Sequence, residues 1–406
     1  MDIGSIIAAL RRNSLGALLI GAQIGLALAI VCNSLSIIEQ RLHRTYRPSG
    51  LDETNIFTLS NEWVAHPDNL PALTREDSSA LRSLPGVIDV VATDSYPLKG
   101  RGPSAGVMFT PDQREPVAST AYYMVDEHGL AAFGVRLVAG RGFTSDEIRQ
   151  LRSTDTYVPS VVIVTRALAQ SLFPSGDALG KNIYLLSSKA PSRIVGLVDR
   201  CQTPLAATSW GEQFVENSSF LPVQLVQNKL SYVVRTRSGQ RDAVMQIAPS
   251  KLLQLSHARI IDNLEPFSQT RARAYHGDHA LSLILGTLCT LLLAVTALGI
   301  VGLTSYWVAQ RRSQIGIRRA LGARKIDILG YFHVENLLIA GSGGALGIAL
   351  GMAVNLWLAT SLQLTRMGVG FLCLGAAIVF TLSQLAVLWP ALRAANTPPA
   401  IAARGV

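Results

Sequence analysis

Four stretches of this chain contain no Asp, Glu, Lys, Arg or His: Asn13–Ile38, Ala280–Gln310, Asn336–Thr365 and Met367–Leu392. Each exceeds the roughly 20 apolar residues needed to cross a hydrocarbon core of about 30 Å. They explain why only 16% of the 406 residues are charged and 49% are hydrophobic, where a soluble globular chain carries about 25% charged residues. A soluble protein, a disordered chain and a disulfide-built secreted scaffold are all excluded. The expected fold is an α-helical membrane protein with four transmembrane helices and a large α+β extracytoplasmic domain inserted between the first and second.

The formal charge of +9 is unevenly placed. Between Glu39 and His279 there are 25 Lys and Arg against 24 Asp and Glu, whereas the remainder holds 11 basic and 3 acidic residues. The excess sits in short flanks: Arg11 and Arg12; Arg311, Arg312, Arg318, Arg319, Arg324 and Lys325; Arg393 and Arg404. Lys and Arg in short loops mark the cytoplasmic side. The basic balance is therefore a topology signal, and nucleic acid is not expected as a partner. The expected organisation is 1–39 for a cytoplasmic N-terminus and first span and 40–279 for the outer domain. Residues 280–310 form the second span, 311–330 a cytoplasmic loop, 331–365 and 366–392 the last two spans, and 393–406 a cytoplasmic tail. The first apolar stretch is longer than the roughly 7–15 residues of a signal-peptide core, so a retained anchor is expected. Bulky Ile30 and Val31 ahead of Cys32 argue against a lipoprotein signal.

Small residues recur every four positions at Gly21 and Gly25, and at Gly343, Gly347 and Gly351. That spacing lets helix backbones approach closely, which is the main source of cohesion available in lipid. These glycines are read as helix-packing positions, with Gly21 and Gly25 at a contact between two copies of the chain. The spans lack the ionisable side chains with which pumps and ion-coupled transporters bind their ions, so work has to be driven from outside them.

In the outer domain, residues 55–60, 106–110, 161–164, 194–198 and 231–235 read as strands. Thr74 with Asp77 has capping-box spacing, Thr165 precedes a helix reaching Phe173, and a helix over 241–256 is expected to break at Pro249. Chemistry is not found there. Gly176–Lys181 is one residue short of a P-loop and lacks its Ser or Thr, and is read as a turn. The Gly341–Gly347 cluster lies in an apolar span without a preceding strand. His276, Asp278 and His279 are read as an interfacial segment rather than a metal site, and the four cysteines as packing residues. No catalytic residue, cofactor or metal is assigned.

After the second span, Gln314-Ile315-Gly316-Ile317-Arg318-Arg319-Ala320-Leu321-Gly322-Ala323, then Asp327-Ile328-Leu329 and Glu335, resembles the signature of MacB/FtsX-type ABC transporter permeases. Leu84–Val87, Ala139–Phe143, Ser171–Pro174, Gly180–Ile183 and Ile194–Val198 are similar to that family's periplasmic core domain, and Pro390–Ala395 to its C-terminal ending. The resemblance implies a multi-pass subunit of the bacterial inner membrane that is not itself an enzyme. It implies as partners a separate ABC ATPase subunit that binds the ATP, a second permease copy or paralogue, membrane lipids and a periplasmic adaptor. The cytoplasmic segment would then be a coupling helix, with Arg311, Gln314, Ile315, Gly316, Arg318, Arg319, Ala320, Leu321, Gly322, Ala323 and Glu335 as its residues. ATP-driven motion would pass to the periplasmic domain for export of a peptide, lipoprotein, drug or lipid. The alternative is an FtsX-like regulator activating a periplasmic cell-wall hydrolase or acting as a sensor. Gln310 and Gln314 stand where the family commonly has acids, which suggests pairing with a non-identical permease.

Overall fold

The computed structural model describes residues 14–64, 67–152, 158–185, 188–208, 210–362 and 367–396. Arg11, Arg12 and Arg404 of the topology reading lie outside them, as do Arg366 between the last two spans and Pro399 and Ile401 in the tail. In chain order the helices are α1 (Ser14–Thr45), α2 (Leu70–Arg82), α3 (Gly129–Phe133), α4 (Arg166–Leu172), α5 (Arg241–Leu255), α6 (Phe267–Ala274), α7 (His276–Gln310), α8 (Arg312–Ala320), α9 (Lys325–Leu362) and α10 (Val369–Ala395). The strands are β1 (Ile56–Trp63), β2 (Val87–Thr93), β3 (Ser104–Met108), β4 (Ala118–Val125), β5 (Leu137–Gly140), β6 (Arg149–Arg152), β7 (Val161–Thr165), β8 (Asn182–Leu185), β9 (Ser192–Val198), β10 (Ser218–Val226), β11 (Lys229–Thr236) and β12 (Arg259–Pro266). The chain divides into two units, Met1–Thr45 with Gly277–Val406, and Tyr46–His276.

In the first unit α1, α7, α9 and α10 are long and apolar enough to cross a membrane. At about 1.5 Å per residue the 35 residues of α7 reach about 50 Å, well beyond the roughly 30 Å of hydrocarbon. The junctions differ from expectation by several residues. Helix α1 continues to Thr45, past residue 39, because Glu39–Arg44 are helix-tolerant and His43 and Arg44 suit the negative end of the helix dipole. Helix α9 begins at Lys325, within the segment read as loop.

Ile20, Ile24, Leu28 and Cys32 recur every four residues on α1 and are all buried, so α1 forms the centre of this unit. Asn33 Nδ2 donates to the Gly351 carbonyl of α9 at 3.1 Å, and Gln23 Nε2 donates to the Val295 carbonyl of α7 at 3.2 Å. Arg41 and Asp278 form a 2.5 Å ion pair between α1 and α7, which gives Asp278 of the histidine-flanked segment a structural partner. Among the described residues no group of three or more His, Cys, Asp or Glu is placed to hold a metal ion. Cys32, Cys201 and Cys289 are buried free thiols, and Cys373 is exposed on α10.

The second unit combines a four-stranded sheet, ordered β12-β1-β11-β2, with a barrel. β4, β3, β8, β9, β7 and β10 follow one another, and parallel pairing of β10 with β4 closes the ring. β5 pairs β9 and β6 pairs β10 outside that ring. Closure removes the free edges a barrel strand would otherwise present. Alternate side chains of β7 enter different cores: Val162 and Val164 lie with Phe57, Leu59 and Tyr232, and Ile163 lies with Tyr123, Phe133 and Phe220.

All five expected strands are present: 161–164, 194–198 and 231–235 fall within longer ones, β1 starts at Ile56 rather than at 55, and β3 ends at Met108, short of 110. β10 was not among the expected strands, and it carries Pro222, a residue type that usually argues against a central strand. Pro222 ends the parallel pairing of β10 with β4, opposite Val125, after the β7 pairing stops at Phe220 and before the β6 pairing begins at Val223. Helix α5 runs unbroken through Pro249, held on one side by the buried Val244, Ala248 and Leu252. Thr165 caps α4, accepting from the Leu168 N–H at 3.4 Å. The Thr74–Asp77 capping box is corrected: both residues lie inside α2 and are buried. The Asp77 carboxylate instead accepts from Tyr232 Oη and from Arg259 Nη1, each at 2.7 Å. Arg259 also stacks over the Trp63 ring at 4.1 Å. Burial raises the Asp77 carboxyl while Arg259 and Tyr232 pull it down.

Candidate coupling site

Arg311 breaks the backbone between α7 and α8, with φ −100° and ψ 12°. Helix α8 then ends in a closed turn. The Gly322 N–H donates to the Arg319 carbonyl and the Ala323 N–H to the Arg318 carbonyl, each at 3.1 Å. This is the Schellman pattern, which needs a left-handed residue after the last helical one, and Gly322 supplies it at φ +99°. Beyond the turn, Asp327 accepts from the Arg324 N–H at 2.9 Å, an acid closing the first turn of α9. Gly322 and Asp327 thus fix both ends of a tight reversal between α8 and α9.

The guanidinium of Arg311 latches the start of α8 onto α9. Its Nη1 donates to Glu335 Oε1 at 3.0 Å, to Oε2 at 3.1 Å and to Tyr331 Oη at 3.3 Å. The Glu335 side chain is only 2% exposed. Arg318 lies over the Tyr331 ring at 5.5 Å, adding a second tie between the two helices. At the first residue of α9, Lys325 donates to Asn396 Oδ1 at 2.8 Å, just beyond α10.

Helix α8 has two unlike faces. Ile315 and Gly316 are buried, and Ile315 packs in the cluster that holds Trp307, Ile328 and Phe332. Gln314, Ile317, Arg318, Ala320, Leu321 and Gly322 are exposed, and Arg311, Arg319 and Ala323 are half-buried. Ile317 is 57% exposed, Leu321 83% and, just beyond the turn, Ile326 71%. Exposed Arg312, Arg324 and Lys325 flank them.

Two expectations are corrected here. Gly316, expected among the coupling residues, faces inward and is buried. Glu335, read as a coupling contact, is enclosed with Arg311 and can act on a partner only by setting the angle of α8. Tyr331 and Ile326 were not singled out from the sequence, and Ile317 stood only within the motif, without a role of its own. Tyr331 stands four residues before Glu335, and that helical spacing puts both on one face.

The glycines form a seam between α1 and α9. A Cβ on Gly343 would lie 2.4 Å from the Gly21 carbonyl oxygen, and one on Gly347 would lie 2.6 Å from that of Gly25. A Cβ on Gly25 would meet the Gly343 oxygen at 2.8 Å, and one on Gly351 the Ala29 Cα at 3.5 Å. Gly21 and Gly25 are therefore occupied by their own chain, and the expectation that they face a second copy is corrected. The four-residue spacing marks a close helix contact without naming the helix that fills it.

Comparison with known proteins follows the same division. A family profile described as MacB-like periplasmic core domain matches residues 17–249, and one described as FtsX-like permease C-terminal matches residues 286–399. The macrolide export ATP-binding/permease protein MacB of Nitrosomonas europaea is 26% identical over 347 residues, covering 83% of this chain and 48% of that protein. The protein of the same name from Mannheimia succiniciproducens is 24% identical over 366 residues, covering 87% of this chain and 52% of that protein. The chain thus spans about half the length of the curated relatives it matches. Among solved structures, the periplasmic region of MacB from Actinobacillus actinomycetemcomitans is similar at 17% identity and a TM-score of 0.29, covering 53% of this chain and 90% of that one. With one profile spanning more than half of its residues and the other most of its last three long helices, this chain belongs to the MacB/FtsX-like permeases, with a MacB-like periplasmic core domain.

Proposed function

We propose that this chain is the permease component of a MacB-like ABC export system of the bacterial inner membrane, worked by an ABC ATPase subunit that docks on α8. The observation that supports the reading best is the outward face of α8. Ile317, Leu321 and Ile326 stand in the open with arginines and a lysine around them. An apolar centre with a polar rim is the usual anatomy of a protein interface. The Arg311–Glu335 latch makes α8 and α9 move together, so force applied to α8 enters a 38-residue helix rather than a slack loop. ATP is bound and hydrolysed by the partner, and this chain transmits the motion to its periplasmic domain.

A second permease copy or paralogue completes the assembly. With the glycine seam occupied internally, it docks elsewhere. Helix α7 offers a large uncovered surface, with Leu283, Ile284, Leu291 and Leu298 all exposed. Affinity purification of the tagged chain from its native membranes, with nucleotide present, is expected to bring an ABC ATPase in near-stoichiometric amount. Repeated recovery of the chain with no such subunit contradicts the reading.

A further inference from the structure

The periplasmic unit contains a cavity of about 820 Å³ lined by the β2–β3 connection, β11 and α6. That volume is within the roughly 300–1,000 Å³ typical of small-molecule sites. We propose that this cavity binds a small organic anion, a carboxylate or a phosphate monoester on an apolar body, through Lys99 and Arg101.

The backbone points to the same place. Among the described residues the non-glycine positions with positive φ are Leu98 at 63° and Asn263 at 49°, and both line this cavity. A left-handed conformation is unfavourable for a bulky residue such as leucine. Strain of that kind persists where surrounding structure enforces it, and it concentrates at ligand sites.

The charges fix the sign of the ligand. Lys99, Arg101, Lys229 and Arg273 line the cavity against one carboxylate, Asp94. Lys229 is already paired with Glu62 at 2.7 Å and with Asp262 at 3.5 Å, and Arg273 is bonded to Glu265. Lys99 donates to the Asp94 backbone carbonyl at 2.6 Å and to Ser231 Oγ at 3.1 Å. An ammonium has three N–H donors, and the third is left for a ligand beside the Tyr96 ring, over which Nζ lies at 4.9 Å. Arg101 is exposed and makes no ion pair among the described residues.

Burial holds the Lys99 ammonium down to about 8, with Asp94 and Asp262 opposing that shift and Arg101 and Lys229 adding to it. Burial also raises the Asp94 carboxyl, against the pull of Lys99. Tyr96, Leu98, Pro103 and Leu230 supply the apolar wall.

The inference does not depend on the ATPase reading, and its test needs no nucleotide. Equilibrium dialysis of 1-naphthoate, 1-naphthyl phosphate and neutral 1-naphthol is performed against the full chain in lipid nanodiscs, with empty nanodiscs subtracted. Both anions are expected to bind saturably and at least tenfold tighter than the naphthol, and the tighter of the two assigns the headgroup. Lys99→Met and the exposed variant Arg101→Gln are each expected to weaken the anions fivefold or more. Naphthol binding as tightly as the anions, no saturable anion binding, or wild-type affinity in both variants overturns the inference.

Discussion

Leucine at both Gly343 and Gly347 is expected to lower the thermal transition of the detergent-solubilised protein by 10 °C or more. The first atom of each new side chain would lie 2.4 Å and 2.6 Å from the carbonyl oxygens of Gly21 and Gly25, far inside van der Waals contact at about 3.5–4.0 Å. Those oxygens belong to the α1 backbone and cannot rotate away, so α1 and α9 have to separate along the seam. Overpacking of this kind costs about 1–3 kcal/mol per site. In lipid no hydrophobic term offsets the loss, because the helices are held by close packing itself. Gly341→Leu is the matched control, since a Cβ there meets nothing within 4 Å. A double variant that melts with the wild type, measured beside Gly341→Leu, contradicts the seam.

Leu321→Asp is expected to leave folding untouched and to reduce nucleotide-driven coupling at least tenfold. The side chain is 83% exposed, so its replacement removes nothing from the core. At the centre of an interface, however, a carboxylate loses an anchor and is desolvated without a partner, and central anchors are worth about 2 kcal/mol or more. Glu335→Ala reaches the same end differently. It leaves the guanidinium of Arg311 enclosed without its carboxylate, and breaking a buried pair costs about 3–5 kcal/mol. The expected signature is retained ATPase binding with lost stimulation, because the outer face of α8 survives while its angle is freed. ATPase activity of the reconstituted complex, with and without substrate, separates the two variants. Gly316→Glu is not a clean probe of the partner, because Gly316 is buried.

Short-range chemistry was legible from the residues alone. Thr165 announces its helix, Gly322 its stop, and the charge-free stretches their spans, because each of these depends on neighbours a few positions away. Asp77 shows where such reading ends. Its spacing from Thr74 is that of a capping box, yet its partners Tyr232 and Arg259 lie 155 and 182 positions along the chain. Pro249 was misread for a related reason: whether a missing N–H matters depends on a packed face that only the fold supplies. The coupling segment was visible as a motif, but its division into an inward face at Ile315 and Gly316 and an outward face at Ile317 and Leu321 was not. The glycine spacing likewise specified close approach and left the partner helix open.

A photocrosslinking residue placed at position 321 in native membranes reads the contact itself. Irradiation is expected to join this chain to an ABC ATPase from positions 321 and 317, but not from Met352, an exposed position on the membrane-spanning part of α9. Absence of an ATPase adduct at 321 and 317, in cells where Met352 shows normal insertion by labelling with lipid-phase reagents, would mean that nothing drives the chain through α8.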